Sequence, residues 1–341
     1  MPRRGVCSGP FAPLGVGRSR VAPSIPHRIG VDENGLGPRL GPLVVTGVLA
    51  RVTEAGAARA GRAARGNLAE RLGDSKALVA HGNVALGEAW ARAIAARAGA
   101  APATPGELFA TLTHEGLAVL QRPCPRHVSP QCWGEAGEAF ETSDAEVATA
   151  ARDLDRLAGQ GIDVRAARTS VTCTERLNLA RAAGLSRFDV DLHAMESLVL
   201  ALAERAGTEV EAICGKVGGY TKYGPAFGPL AGRLHAVEQE HKALSSYRFP
   251  GLGVLSFAQD ADANDLLVAM ASLVGKWVRE LLMARIVRFY GARADGTPHA
   301  ASGYHDPVTS AFVDATLVTR QAREVPDGCF ERAAAAPTRK R

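Results

Sequence analysis

The sequence predicts one main α/β domain built on a mixed sheet. Three observations lead there. Short apolar, β-branched runs bounded by glycine and proline recur along the chain. A helix–strand–helix succession follows the first two of these runs. The 341 residues are 46% hydrophobic, which is ample material for a core.

Taken in order, residues 1–27 are rich in arginine, proline and glycine, and are expected to be a disordered tail or the product of an over-long start site. Arg28 to Val31 and Leu43 to Ala50 read as two strands joined by a tight turn. Residues 83–98 are helical, while 100–165 carry proline-rich breaks and are expected to be an insertion. Two helices with apolar faces follow at 175–183 and 190–206. Leu192, Met195, Val199 and Leu202 keep helical spacing on the second, so His193 reads as a surface or packed residue. Residues 209–214 and 253–258 are strands. Residues 265–290 form a long helix, apolar on nearly all sides and therefore buried. The domain is thus placed at 28–320, with 321–341 a flexible basic tail.

A formal net charge of +5 permits anionic partners without requiring them. No apolar run approaches the ~18 residues of a membrane span. Six scattered cysteines with no C-x-x-C pair suit a reducing, cytoplasmic setting. Cys124, His127 and Cys132 lie near one another without a matching second half, and read as loop residues.

Three polar clusters interrupt the apolar plan. In "GVDENGLGPRLGPLVV", Asp32 and Glu33 stand at the end of the first strand, followed by Gly35, Gly37, Pro38, Gly41 and Pro42. Neighbouring strand residues face opposite ways, so both acids serve one site only where the strand ends. Paired carboxylates there are either surface acids on a plain strand-turn-strand or, if buried, need a compensating cation: a basic side chain, a helix end or a metal ion. "GDSKAL" (73–78) supplies an ordinary helix cap in its Asp-Ser pair, with Lys76 as a phosphate contact or a solvated charge. In the third cluster Asp262 precedes the buried helix, on which Ser272, Lys276 and Arg279 form one polar line. That line is either lysine reaching outward or a row of donors aimed at a phosphodiester backbone.

These residues resemble the motifs of the type 2 ribonucleases H, the ribonuclease HII family. The family's opening motif, D-E-x-G-R-G-P-x-x-G-P-V-V, is matched without a gap by Asp32, Glu33, Gly35, Gly37, Pro38, Gly41, Pro42, Val44 and Val45. "DSKAL" is similar to its D-S-K-K-L. Asp262, Ser272 and Lys276 keep its Asp, Ser and Lys spacing, and "SGYHDPVT" resembles its G-Y-P-S-D-P-x-T. The "FDVDLHAM" helix sits where the family has its "AM" helix.

The resemblance implies a ribonuclease H-like fold, with a mixed central sheet flanked by helices and a C-terminal helical segment. It implies endonucleolytic cleavage of the RNA strand of RNA–DNA hybrids, or beside ribonucleotides embedded in DNA. Two Mg²⁺ or Mn²⁺ ions, held by four carboxylates, would be the cofactors. By carry-over Asp32, Glu33 and Asp262 are metal ligands and catalytic. Gly35, Leu36 and Gly37 would read the 2′-hydroxyl. Ser75, Lys76, Ser272 and Lys276 would contact nucleic acid, and Tyr304 would stack beneath the sugar at the junction. A monomer without membrane association is expected.

The family's third aspartate is missing. Its position falls at Gly215 or Cys214, depending on how "AICGKVGGYTKY" is aligned. Leu36 and Tyr220 also stand where the family has arginines. Loss of one ligand charge beside two metal ions corresponds to ~4 kcal/mol of transition-state stabilisation. Two readings stay open: an active enzyme in which Glu211, Glu240, Asp260, Asp265 or the Cys214 thiol substitutes, and a degenerate protein that binds hybrid without cutting it.

Overall fold

The structure, a computed structural model, describes residues 25–73, 78, 84–126, 129–135, 137–217, 220–292, 296–297 and 299–333. Ser75 and Lys76, most of residues 1–27 and the stretch 334–341 lie outside the described residues.

The strands are β1 (His27–Asn34), β2 (Leu43–Val52), β3 (Ile162–Thr172), β4 (Val210–Gly215), β5 (Ala236–Glu240), β6 (Leu244–Phe249) and β7 (Gly253–Ala258). They form one sheet in the order β3-β2-β1-β4-β7-β6-β5. β4 lies parallel to both β1 and β7, and the other pairings are antiparallel, so the sheet is mixed as expected. The helices used below are α1 (Ala85–Arg97), α2 (Asp144–Gly159), α3 (Thr174–Ala182), α4 (Arg187–Ala206), α5 (Leu266–Phe289) and α6 (Pro307–Ala315).

Each face of the sheet carries its own core. On one, α5 and α1 pack with α2 over Val44, Val48 and Ile162; on the other, α4 packs over Ile29, Val31, Val45 and Ala212. Alternation along β1 divides its side chains accordingly. Ile29 and Val31 join the α4 side, whereas Gly30 abuts α5. A Cβ at Gly30 would lie 2.3 Å from the backbone of Leu267 and Val268. Backbone cannot step aside as a side chain can, so Gly30→Ala is expected to cost about 3 kcal/mol, read as a lower denaturation midpoint.

Arg28, on the α5 side, explains how α5 is anchored. Its guanidinium meets Asp265 at 2.6 Å and Glu211 at 2.6 Å, with Arg28 7% and Asp265 4% exposed. The second oxygen of Asp265 accepts from the Leu267 and Val268 amides and caps the helix.

Within 100–165, α2 and the start of β3 belong to the sheet's core through Leu154, Leu157, Ile162 and Val164. Residues 321–333 are not a flexible tail. Residues 327–330 are helical, Glu331 bridges to Leu40, and Phe330 and Arg332 are each 3% exposed. Apolar burial and a buried cation tie this segment down. Among the described residues, no helix is long and apolar enough to cross a membrane.

Candidate active site

β1 ends at Asn34, and Gly35 turns the chain at φ 87°. That conformation favours glycine, and the space agrees: a Cβ there would meet the Arg279 side chain at 2.6 Å. The turn is held by its carbonyls. Arg332, 3% exposed, donates to the oxygens of Gly35 at 2.7 Å and Gly41 at 2.7 Å. Arg187 reaches the oxygens of Leu36 and Pro38. Burial, with Arg187 and Arg279 close by, pushes the Arg332 pKa down to about 9, so it stays charged at neutral pH. Neither Arg187 nor Arg332 was expected to serve the site, because only the folded chain brings them to the turn.

Asp32 follows Gly30 on the α5 side, where the Ser272 hydroxyl of α5 donates to it. It is 8% exposed. Burial and the neighbouring Glu33 charge hold its carboxyl well above the usual carboxylate range, against the pull of the Ser272 hydrogen bond. Asp262 sits in a helical turn (Ala261–Asn264) between β7 and α5, and its charge also acts on Asp32. A cleft of about 500 Å³ opens over these groups. It brings together Asp32, Glu33, Gly35, Leu36, Gly37, Gly215, Asp262, Ser272, Lys276 and Tyr304, from four separate parts of the chain.

Gly215 ends β4 beside β1, on the α5 face. A Cβ built on it would lie 2.8 Å from Asp32 Oδ1 and 3.7 Å from Glu33 Oε2, so a side chain there would enter the carboxylate pair. Cys214 faces the other way. It is fully buried in the α4-side core, where burial pushes its thiol pKa far up. Of the two, only Gly215 faces the carboxylate pair.

Most of the proposed substitutes are committed elsewhere. Asp265 and Glu211 belong to Arg28, and Glu240 accepts the Tyr247 hydroxyl at 2.7 Å. Asp260 lines the cleft. So does Lys216, whose Nζ donates to the His241 carbonyl and the Ser245 hydroxyl. Arg279 lines the cleft with Ser272 and Lys276, but its guanidinium is engaged within the protein. It is 2% exposed, bonded to Glu280 and the Ser302 carbonyl, and its guanidinium lies 4.9 Å from the Tyr304 ring centre. Tyr304 keeps 45% of its surface exposed at the cleft. Tyr220 stacks on Phe188 with ring centres 3.8 Å apart.

No family model and no curated protein matches the chain. Among solved structures it is similar to the RNase HII of Archaeoglobus fulgidus, determined in complex with PCNA, at 18% identity and a TM-score of 0.41, over 92% of this chain and 97% of that one. It is similar to Bst-RNase HIII in complex with Mn²⁺ at 13% identity and a TM-score of 0.44, over 91% and 67% of the two chains. The ribonuclease H2 of Pyrococcus horikoshii OT3 gives 13% identity and a TM-score of 0.39, over 89% and 92%. Likenesses at this level bear on neither activity nor substrate.

The acids of the cleft, Asp32, Glu33, Asp260, Asp262 and Glu280, offer carboxylate oxygens, which suit a hard divalent cation in kind. They suit one in charge as well, since Asp32 is buried beside Glu33 and Asp262. As placed, among the described residues, no three His, Cys, Asp or Glu side chains stand close enough together to hold an ion.

Proposed function

We propose that this protein is a metal-dependent endonuclease of the ribonuclease HII kind, acting on the RNA strand of RNA–DNA hybrids or at ribonucleotides within DNA. The observation that supports this best is the cleft itself: Asp32, Glu33 and Asp262 share it with Ser272, Lys276 and Tyr304, residues up to 272 positions apart that carry the family's motifs.

Asp32, Glu33 and Asp262 would hold the divalent ions. Bound Mg²⁺ or Mn²⁺ supplies an activated water and stabilises the leaving oxygen. Ser272 orients Asp32 through its hydroxyl. Lys276 offers a positive charge to a phosphate, which positions the strand without reading its sequence. Gly37 has open space where a Cβ would stand, so a sugar can approach the turn's backbone closely. A 2′-hydroxyl bonded there would separate RNA from DNA. The exposed face of Tyr304 is available for stacking.

Gly215 favours a second reading, a protein that binds hybrid without cutting it. Cleavage of a labelled duplex with one ribonucleotide, beside a long RNA–DNA hybrid, in Mg²⁺ and in Mn²⁺, separates the two. The enzyme reading expects cutting that falls at least ~100-fold in Asp32→Asn, with hybrid binding largely kept. Binding without cutting by the unaltered chain would leave the second reading in its place.

A further inference from the structure

A second hollow, of about 680 Å³, opens at the head of α5, where Leu266 lines it. It shares no lining residue with the cleft. The cleft takes Asp32 and Glu33 from the end of β1, whereas the hollow lies by Arg28 near its start, where a Cβ on Gly61 would stand 3.3 Å from Nη2. Its shape follows from a local sequence. "EAGAARA" forms a short helix, Glu54–Ala60, that buries Gly56 and Ala60. A Cβ on Gly56 would stand 2.0 Å from the Gly161 carbonyl oxygen, so only glycine lets this helix lie so close to the end of α2. The Thr53 amide donates to that same carbonyl at 2.9 Å, and the Thr53 hydroxyl caps the helix by accepting from the Gly56 amide. The helix is thereby fixed, and Arg59, Arg62 and Arg65, three residues apart, line one hollow with Arg156 of α2.

The charges there do not balance. Asp153 is the one acid among the lining residues, and it is already neutralised. It is 2% exposed and accepts from Arg71 at 2.7 and 3.1 Å and from Arg156 at 3.3 Å. Arg59 donates to the side-chain oxygen of Gln160, a group without charge, at 2.8 Å. Arg62 and Arg65 make no hydrogen bond or ion pair among the described residues. Three guanidinium charges therefore converge without a counter-charge, and an anion between them would relieve their repulsion. Guanidinium forks match phosphate oxygens two at a time. A single phosphate monoester carries a charge of about −2, so three guanidinium groups suit a longer phosphate chain better. The remaining lining is alanine and leucine with the Asn67 and Gln160 amides. An apolar wall with a few polar groups, in a volume between ~300 and ~1,000 Å³, is the usual form of a small-ligand pocket. No aromatic residue lines the hollow, so it lacks the stacking platform of a single-strand groove.

We propose that this hollow binds a nucleoside di- or triphosphate, with Arg59, Arg62 and Arg65 holding the phosphate chain. The inference is independent of the nuclease reading, since it uses none of the cleft's residues.

The test is isothermal titration of the full chain, in buffer free of divalent ions, with ATP, with inorganic pyrophosphate and with a short thymidine oligonucleotide. ATP and pyrophosphate are expected to bind, ATP more tightly. The double variant Arg62→Ala with Arg65→Ala should weaken both at least ~tenfold, since each lost guanidinium removes charge-assisted bonds. Both side chains are exposed, so the fold does not depend on them. Arg152→Ala, an exposed arginine of α2 outside the lining, is the reference and should bind ATP like the unaltered chain. An equal loss in Arg152→Ala would reveal general attraction to an arginine-rich surface and overturn the inference. Absence of ATP and pyrophosphate binding by the unaltered chain overturns it as well. Binding of the oligonucleotide alone does the same and assigns the hollow to a nucleic-acid strand instead.

Discussion

Gly215→Asp is expected to raise the rate of Mg²⁺-dependent cleavage by up to about a thousandfold, the equivalent of ~4 kcal/mol in the transition state. Steric conditions for the substitution are favourable. Gly215 is not among the residues with positive φ, so an aspartate fits the backbone without strain. Its Cβ would meet only the ends of the Asp32 and Glu33 side chains, which can turn away. The new carboxylate would enter the cleft beside Asp32, from the neighbouring strand. Without metal it adds negative charge to a pair already short of compensation, so the metal-free variant should melt at a lower temperature than the unaltered chain. Mn²⁺ should then raise its melting temperature by more than it raises that of the unaltered chain, since a ligand at fixed concentration stabilises the folded state by an amount that grows with the logarithm of its affinity. Single-turnover cleavage with and without metal, beside the two melting curves, checks both parts. A variant that folds and gains affinity for Mn²⁺, yet cuts no faster, would show that the missing ligand is not what limits the chemistry.

Arg28→Met is expected to cost about 3–5 kcal/mol of stability, the cost of leaving a buried partner uncompensated. The partner is Asp265, 4% exposed and at the head of α5. Its backbone contacts to Leu267 and Val268 satisfy one oxygen, but the other faces Arg28 alone among the bonds the structure shows. Methionine keeps much of the volume and none of the charge. The double variant Arg28→Met with Asp265→Asn should recover a large part of the loss, because asparagine can still cap the helix while carrying no charge. Urea denaturation of the four proteins closes the cycle. A loss below ~1 kcal/mol in the single variant would mean that water reaches Asp265 and that the pair holds α5 only weakly.

How much of this was legible in the sequence depended on the distance over which each signal acts. The strands at 28–31, 43–50, 209–214 and 253–258 and the long helix carry their own periodicity, and the structure has them all. β3, β5 and β6 were missed. β5 is largely exposed and reads "AVEQE", which has no apolar face to betray it. Asp32, Glu33, Asp262, Ser272 and Lys276 were legible because the motif is local and its glycines are specific. Arg332 lay hidden in what looked like a basic tail. The four cysteines Cys124, Cys132, Cys173 and Cys329 likewise line one small cavity, although the last two are far from the first pair in sequence. Local pattern reveals elements and motifs, whereas the complement of a site comes from long-range packing.

The hold of Arg332 on the glycine turn has a consequence for the order of events during synthesis. The turn lies between β1 and β2, among the first parts of the domain to be made, while the guanidinium that pins Gly35 comes 297 residues later. A chain growing on the ribosome, where domains form from the N-terminal side onward, therefore builds the two strands well before it can fasten the loop between them. Until residues 327–333 have emerged and docked, the part of the cleft proposed to recognise a ribose stays unset.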